Sequence, residues 1–339
     1  MKKKVLAVCL FILLCLSGVF SMTVQTTACA ATVTAECVMD ADSRRILYES
    51  RGDTRLPMAS TTKILTAISV LEAGVDLAKT VKIPKEAAGV EGSSVYLKEG
   101  DEYSVGDLLY GLMLRSGNDC AVALALEVDG SIEKFSTRMN KTAEKAGAFN
   151  SRFRTPHGLP KSGHYTTAVD LSLITSYALQ NAVFQKIVSA KFYEPRGWAN
   201  KNKMLTLYEG AIGVKTGYTK EAGRCLVSAA ERDGLRLVCT VLNRSDTYER
   251  SIKLLDDAFS AYHRVAVLEE GEEISLQRGE KTIKAVAKDT VYYPLMEEEK
   301  GYLERIVTPY TNSANKEIIG QIQIFLFKRL LFSGFLYTI

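Results

Sequence analysis

The chain has 339 residues, of which 47% are hydrophobic and 24% charged, so it is long enough to bury a large core and too long for one minimal domain. Its net charge of +4 is small for this length, and the basic residues are dispersed along the sequence. Such a weak, dispersed charge provides no electrostatic footprint for nucleic acid. We therefore expect one large domain with a smaller one, and no nucleic-acid partner.

The N-terminal segment has the order of features found in secretory signal peptides. Three lysines are followed by an apolar run from Val5 to Phe20 and by a stretch of small residues ending at Ala30. An uncleaved membrane anchor is the alternative, but the run is shorter than the roughly 20 residues of a spanning helix. We expect residues 1–30 to be removed on export, leaving a protein on the cell-wall side of the membrane, secreted or peripherally attached.

Four cysteines lie beyond the predicted signal peptide, and their spacing matches no metal or redox motif. Each lies in an apolar stretch, which favours small buried thiols. They are Cys37, Cys120, Cys225 and Cys239. Cys225 and Cys239 are predicted on adjacent strands, and the sequence leaves a disulfide between them open because the strand register is not fixed.

The first part of the remaining chain is predicted to form two short strands and then several helices. The strands are expected at 32–39 and 45–48, and apolar residues at helical spacing predict a helix from Ser60 to Gly74. Further helices are expected at 108–128, interrupted at 116–118, and at 132–146.

Strand patterns return after residue 210. They cover 211–216, 225–230 and 235–242, the last two joined by a turn at 232–234, and a closing helix follows at 252–262. Strands from both ends of the segment then surround a helical middle, which indicates one sheet with helices packed on it. We expect an α/β sandwich spanning residues 31–263.

Polar and apolar residues alternate beyond Arg264, with glycines at the expected turn positions, so residues 264–339 are predicted to form a small all-β domain. The final apolar stretch, 322–339, is compatible with a hairpin turning near Lys328 and Arg329 or with a membrane-surface helix. The hairpin is favoured, because Ile322 and Ile324 alternate with polar residues.

Three short patterns that carry chemistry occur in order along the chain: Ser60-Thr61-Thr62-Lys63, Ser116-Gly117-Asn118 and Lys215-Thr216-Gly217. Each is weak evidence alone, since a serine three residues before a lysine is also what a helix N-cap followed by an exposed lysine produces. Their joint order and placement on predicted elements favour a catalytic interpretation.

Ser60 and Lys63 are three residues apart at the start of a predicted helix, so their side chains lie on one face and within reach of each other. A lysine with the ordinary pKa of about 10.4 is protonated at neutral pH and cannot act as a base. Lowering that pKa to near 7 requires about 4 kcal/mol, which burial and a second nearby cation supply. Lys215 is the expected second cation.

The other two patterns suit the binding of a peptide that ends in a carboxylate. Lys215 offers charge, Thr216 a hydroxyl donor, and Gly217 a strand edge that a substrate backbone can approach. Ser116 has a hydroxyl that can pass a proton to a leaving amine, and Asn118 can donate to and accept from a peptide bond. Together the patterns indicate acyl transfer through a serine.

At these residues the sequence resembles a known family, the low-molecular-weight penicillin-binding proteins, which are serine-type D-alanyl-D-alanine carboxypeptidases. The resemblance extends over nearly the whole segment 35–262. It is carried by Pro57-Met58-Ala59-Ser60-Thr61-Thr62-Lys63, Gly92-Ser93-Ser94, Leu114-Arg115-Ser116-Gly117-Asn118-Asp119, Thr155-Pro156-His157-Gly158-Leu159, His164-Tyr165-Thr166-Thr167-Ala168 and Gly213-Val214-Lys215-Thr216-Gly217-Tyr218-Thr219.

The resemblance implies a penicillin-binding transpeptidase-like sandwich and a role for each matching residue. Ser60 would form the acyl-enzyme, Lys63 would accept its proton, Ser116 would relay protons and Lys215 would bind the terminal carboxylate. The backbone amides of Ser60 and Tyr218 would form the oxyanion hole. The implied substrate is a peptidoglycan stem peptide ending in D-Ala-D-Ala, with β-lactams as inhibitors and no cofactor or metal.

The resemblance also implies that His157, Gly158, Leu159 and Asp170 line the site. For His157 we favour a loop histidine with a structural hydrogen bond over a catalytic role, and Asp170 is equally compatible with a helix N-terminal position that stabilises the dipole. Cys120 departs from the alanine usual at its position. The chain also stops at or just beyond the predicted β domain, where relatives often carry an amphipathic anchor helix.

Three alternative functions fit the sequence less well. A class A β-lactamase needs a glutamate-held water, and no suitable Glu-x-x-x-Asn pattern lies between Asn118 and Lys215. A metallopeptidase is disfavoured because the chain has three histidines and no His-Glu-x-x-His pattern. A catalytically silent wall-binding protein is disfavoured by the intact motifs.

Overall fold

A computed structural model describes residues 33–310 and 317–339. The predicted signal peptide, residues 1–30, lies outside the described residues. The N-terminal strands and the helices that follow them are given in chain order. They are β1 Ala35–Asp40, β2 Ile46–Ser50, α1 Lys63–Glu72, β3 Thr80–Lys82, β4 Glu102–Ser104, α2 Val105–Leu114, α3 Asn118–Asp129, α4 Ile132–Ala146, α5 Ala168–Ala178 and α6 Ala182–Ser189.

The later elements are mainly strands. They are β5 Phe192–Tyr193, β6 Trp198–Ala199, α7 Met204–Leu207, β7 Ala211–Thr219, β8 Gly223–Arg232, β9 Leu235–Leu242, α8 Thr247–Ala261, β10 His263–Leu268, β11 Glu273–Arg278, β12 Lys281–Val286, β13 Val291–Leu295, β14 Leu303–Pro309, β15 Ile318–Leu326 and β16 Arg329–Thr338. Short 3₁₀ segments occupy Ala59–Thr62, Lys85–Ala87, Glu194–Arg196 and Glu297–Tyr302.

The predicted α/β sandwich is confirmed. Five antiparallel strands form one sheet in the order β2-β1-β9-β8-β7. Successive side chains of β1 point to opposite faces: Cys37 and Met39 join the core under the helices, while Val38 joins a second core beneath α8. The sheet is therefore covered on both faces, and its edge strand β7 lies against the Ala59–Thr62 turn.

The predicted β domain is also present. Strands β11-β12-β16-β15-β14 form a second antiparallel sheet around a small apolar core that includes Ile322, Ile324 and Leu336. The hairpin interpretation of the final stretch is confirmed, and the surface-helix alternative is wrong. Strands β15 and β16 meet at Phe327 and Lys328, whose positive φ values of 49° and 64° match a tight hairpin turn.

We propose residues 31–263 and 264–339 as the two domains, because α8 ends just before this boundary and only strands and a 3₁₀ turn follow it in the described chain. Within residues 33–310 and 317–339, no helix is both long enough and apolar enough to cross a membrane. The open question about cysteines is answered by the register. Cys239 lies opposite Ser228, and Cys37, Cys120, Cys225 and Cys239 are buried free thiols.

Candidate active site

The Ser60–Lys63 pair forms as the spacing predicts, although the local structure differs. A 3₁₀ turn covers Ala59–Thr62, and the α-helix begins only at Lys63. The turn holds Ser60 just before the N-terminal end of α1, and Lys63 Nζ lies 2.9 Å from Ser60 Oγ. Ala59, the residue before the serine, has a φ of 50°. This left-handed conformation costs roughly 1 kcal/mol for a residue other than glycine and must be stabilised by its surroundings.

Lys63 Nζ has two further partners, both of which are acceptors. Asn118 Oδ1 and the His157 carbonyl oxygen each lie 2.7 Å from it. A carbonyl oxygen can only accept, so these two partners take two amine hydrogens. If the amine is neutral, its lone pair then faces Ser60 Oγ, which can donate its proton. The arrangement is therefore compatible with Lys63 acting as a base toward Ser60.

The environment of Lys63 lowers its pKa. The side chain is fully buried, and burial is the main cause of a pKa well below the ordinary 10.5, with the positive charge of Lys215 second. Lys215 is itself 2% exposed, and burial, together with the charge of Lys201, lowers its pKa to about 7. Both causes expected from the sequence, burial and a second cation, are present.

Asn118 is held rigidly at the first turn of α3. Its Nδ2 donates to the Glu91 carbonyl at 2.5 Å, and its backbone N–H donates to the Ser93 carbonyl at 2.7 Å. Because Nδ2 must face a carbonyl, Oδ1 is the atom that faces Lys63. The loop after residue 90 thus fixes the amide orientation that the lysine requires.

Asp119, which the sequence analysis quoted only as part of a motif, fixes the same loop. It is fully buried, and it accepts hydrogen bonds from Ser94 Oγ at 2.5 Å, Val95 N at 3.0 Å and Leu97 N at 3.1 Å. A buried carboxylate with several donors is stabilised by them. Its position in the Ser-Gly-Asn-Asp pattern is the only signal in the sequence.

Ser116 lies between α2 and α3 with a φ of 64° and is 5% exposed. Among the described residues its hydroxyl makes no hydrogen bond to Ser60 or Lys63, whose mutual contact is joined only by Asn118 and His157. The expected relay serine therefore lies two residues before Asn118 without a direct bond to the pair.

The Lys215-Thr216-Gly217 pattern lies on β7, as predicted. Lys215 Nζ donates to the Thr216 carbonyl at 3.0 Å, and Tyr218 is 65% exposed. A Cβ atom on Gly217 would lie 3.0 Å from the Met58 carbonyl and 3.1 Å from Ser60 N. A side chain at this position would make unusually tight contacts, so glycine favours the close approach of β7 to the serine turn. This packing role adds to the approach of a substrate expected from the sequence.

A chain of hydrogen bonds through His164 supports the turn that carries Ser60. The Arg154 backbone N–H donates to His164 Nδ1 at 2.9 Å, and His164 Nε2 lies 3.1 Å from Thr62 Oγ1. Thr62 Oγ1 donates in turn to the Ala59 carbonyl at 2.8 Å. Nδ1 accepts, so the proton of the neutral ring is on Nε2. Burial and the charge of Lys161 lower the His164 pKa to about 4, which keeps this ring neutral.

His157 has the structural role that the sequence analysis favoured. Its Nδ1 accepts from Leu159 N at 3.1 Å, and its pKa is lowered to about 3 by burial and by the charge of Lys63. Gly158 follows with a φ of 88°, and a Cβ atom there would lie 1.9 Å from the Ala59 carbonyl. The loop and the serine turn are thus packed with no room for a side chain.

Asp170 does not contact the Ser60–Lys63 cluster, so the expectation that it lines the site is wrong. It lies in the first turn of α5, where its backbone N–H donates to Thr167 Oγ1 at 3.0 Å. Its carboxylate accepts from Asn150 N and Ser151 Oγ, both at 2.7 Å. The aspartate holds a loop to a helix N-terminus, the alternative that the sequence had left open.

Known proteins are similar to this chain in sequence and in structure. The D-alanyl-D-alanine carboxypeptidase DacF of Bacillus subtilis is 34% identical over 239 residues, covering 66% of this chain and 61% of the relative. Penicillin-binding protein 5 from Haemophilus influenzae is similar in structure, with a TM-score of 0.76 and 27% identity over 90% of this chain and 96% of that one. A mutant of the Streptomyces K15 DD-transpeptidase gives a TM-score of 0.63 at 34% identity, over 67% and 97% of the two chains.

The chain thus spans 61% of the length of DacF, whereas the match to the solved penicillin-binding protein is nearly complete. The family model described as D-alanyl-D-alanine carboxypeptidase matches residues 22–246, which include every motif of the candidate site. The chain therefore belongs to the D-alanyl-D-alanine carboxypeptidase family.

Proposed function

We propose that this chain is an exported serine-type D-alanyl-D-alanine carboxypeptidase that removes the terminal D-alanine from peptidoglycan stem peptides, and that β-lactams acylate the same serine. One observation carries the proposal: Lys63 Nζ lies 2.9 Å from Ser60 Oγ while two carbonyl oxygens hold its other hydrogens. This is the geometry of a nucleophile with a neutral amine base.

In the acylation step, Ser60 Oγ attacks the carbonyl carbon of the penultimate D-alanine and its proton moves to Lys63 Nζ. The new C–O bond gives a tetrahedral intermediate, whose oxyanion we assign to the backbone amides of Ser60 and Tyr218. Gly217 supports this assignment, because its close approach to Ser60 N brings the edge of β7 next to the serine amide.

Collapse of the intermediate breaks the C–N bond. The leaving nitrogen takes the proton from Lys63, passed through the Ser116 hydroxyl, and free D-alanine departs. Water then attacks the acyl-enzyme ester, giving its proton to Lys63, and the Ser60–carbonyl bond breaks with return of that proton to Ser60. Atoms and charge balance over the cycle, and the enzyme is regenerated.

Recognition of the substrate is assigned to the strand β7 and to Asn118. Lys215 and Thr216 would bind the terminal carboxylate, and a bound anion would favour the charged form of Lys215, whose pKa without ligand is about 7. Asn118 donates one hydrogen of its side-chain amide to the Glu91 carbonyl, which leaves the other hydrogen for the substrate peptide bond.

The proposed location is the cell-wall side of the membrane, either free or in peripheral contact with the lipid surface. The tip of the β15–β16 hairpin is the surface we assign to such contact. Phe327 and Leu330 are exposed there beside Lys328 and Arg329. Nucleic acid is not among the proposed partners.

The test is intact-mass spectrometry of the mature protein with penicillin, followed by D-alanine release from a peptide ending in D-Ala-D-Ala. We expect one penicilloyl adduct and D-alanine release, both absent in Ser60→Ala and unchanged in a control, Ser189→Ala, at an exposed serine of α6. Rapid loss of the adduct by penicillin hydrolysis would indicate the β-lactamase. No adduct and no release would indicate the silent wall-binding protein.

A further inference from the structure

A cavity of about 530 Å³ lies between the outer face of α4 and the segment 152–161, away from the Ser60 site. Charged side chains line it from both walls. The helix contributes Glu133, Lys141 and Glu144, and the facing segment contributes Arg152, Arg154 and Lys161. Four cations and two carboxylates thus surround one opening.

These six charges are not used by the fold. Over residues 33–310 and 317–339, none of them makes an ion pair or a side-chain hydrogen bond. Neighbouring charges of α4 behave differently: Arg138 pairs with Asp129 at 2.7 Å, and Lys145 pairs with Glu72 at 3.3 Å. The six side chains that line the cavity are exposed and, within the described chain, unpaired, so their hydrogen-bonding groups are available to a ligand.

The cavity floor is rigid without these charges. Asn140 donates to the Phe153 carbonyl at 2.8 Å and accepts from Phe153 N at 2.9 Å, and Ser136 Oγ donates to the same carbonyl at 2.6 Å. The two walls are therefore tied together by uncharged groups. A ligand would meet a preformed opening, which lowers the entropic cost of binding.

The mixture of charges limits the ligand chemistry. Cations dominate the 152–161 wall, which favours carboxylates or phosphates, but Glu133 and Glu144 on the helix would repel a polyanion. A peptide that carries both carboxylates and an amine fits both walls. We propose that this cavity binds an acidic, amine-bearing peptide of the cell wall, a second stem peptide held while another occupies the Ser60 site. The inference rests on the proposed function.

The cavity is the reverse side of the segment that supports the catalytic lysine. Within that segment, the Pro156 carbonyl accepts from Thr66 Oγ1 at 2.6 Å, and the His157 carbonyl accepts from Lys63 Nζ. A peptide bound outside this segment would place a neighbouring part of the wall next to the site. Cleavage of polymeric wall at Ser60 should therefore depend on the cavity, whereas cleavage of a short free peptide should not.

The experiment measures sedimentation with purified peptidoglycan from which phosphate polymers have been stripped, using Ser60→Ala protein to prevent turnover. The test variant is Arg152→Gln/Arg154→Gln/Lys161→Gln. The control, Lys85→Gln/Lys186→Gln/Lys281→Gln, removes the same charge at three exposed lysines without ion pairs in the described chain. We expect the test variant to bind about tenfold more weakly, and the control to stay within twofold of the parent.

The rate of penicillin acylation in the same triple variant with Ser60 intact should stay within twofold of wild type, which reports correct folding. Should the triple variant not fold, Lys161→Gln is expected to weaken binding about twofold to threefold. Equal binding by test and control variants would overturn the inference, as would a difference seen only on wall that still carries phosphate polymer. Failure of the proposed function appears separately, as absence of a penicillin adduct on wild-type protein.

Discussion

The region around Ser60 and the C-terminal β part of this protein place lysine side chains differently. Lys63 and Lys215 are buried together beside Ser60. In the β part, by contrast, the core is apolar, and the ion pair of Lys284 and Glu273 lies on the surface. Its side chains are 66% and 55% exposed. Burying an ion costs several kcal/mol, so such a cost is tolerated where chemistry requires it. Buried lysines therefore indicate the site, whereas the exposed ion pairs of the β part contribute little to stability.

The largest effect is expected from Lys63→Gln, which removes the base while keeping a polar side chain of similar length. We expect penicillin acylation to slow by roughly 10²- to 10⁴-fold, the contribution typical of a general base. Stability should not fall, because the variant no longer buries an ionisable group. Stopped-flow acylation and thermal unfolding measure the two effects. An acylation rate within tenfold of wild type would show that another group takes the proton.

The next effect concerns the close packing of the loop against the serine turn. In Gly158→Ala the new Cβ would meet the Ala59 carbonyl at 1.9 Å, so Ser60 must shift. We expect the unfolding free energy to fall by about 3 kcal/mol or more. Acylation should become at least tenfold slower, because Ser60 is displaced. Gly163→Ala is the matched control, with a similar φ of 75° and nothing within 4 Å of its Cβ. It should cost only about 1 kcal/mol, and equal losses in both variants would refute the packing argument.

A smaller effect is a loss of stability in acid through His164. Its pKa is 6.5 when unperturbed and about 4 in the fold, so the unfolded chain binds the proton more readily. Stability should then decrease as the pH falls from about 6.5 to 4, by about 3 kcal/mol from this residue. His164→Gln can keep both hydrogen bonds without titrating. Denaturant unfolding between pH 7 and 4 should show a shallower decrease in the variant, and parallel curves would contradict the assignment.

The smallest effect is expected in the β part. Lys284→Gln breaks an exposed 2.7 Å pair with Glu273 and should leave the unfolding free energy nearly unchanged, because solvent screens exposed charges. Acylation should be unchanged, since the pair lies on the second sheet. A denaturant midpoint clearly lower than that of wild type would show that this exposed pair stabilises the fold and would contradict the comparison.

Elements with strong local signals were predictable from the sequence. The helix at Ile132–Ala146 was predicted at its observed bounds, and the β8–β9 hairpin followed from its turn residues. The Ser60–Lys63 contact was also local, since it needs only the spacing of one helical turn. Periodicity and turn chemistry act over a few residues, and there the sequence is informative.

What the sequence could not provide are contacts between distant segments and contacts made by backbone atoms. The His157 carbonyl that orients Lys63 is 94 residues away, and any residue type offers the same carbonyl. His164 reaches Thr62 across 102 residues. The role of Asp170 stayed open in the sequence for the related reason that a carboxylate near a motif serves equally as a site residue or a helix N-terminal one. Only the tertiary fold separates these possibilities.

The most direct test of the account is the pH dependence of Ser60 acylation by a β-lactam, in wild type and in Lys215→Gln. We predict that the rate rises with pH through a Lys63 pKa well below 10.5, because only the neutral amine accepts the proton. Removing the charge of Lys215 relieves repulsion, so the rise should move to higher pH in the variant. A rise centred near pH 10 in both proteins would contradict the claim that burial and a second cation make Lys63 the base.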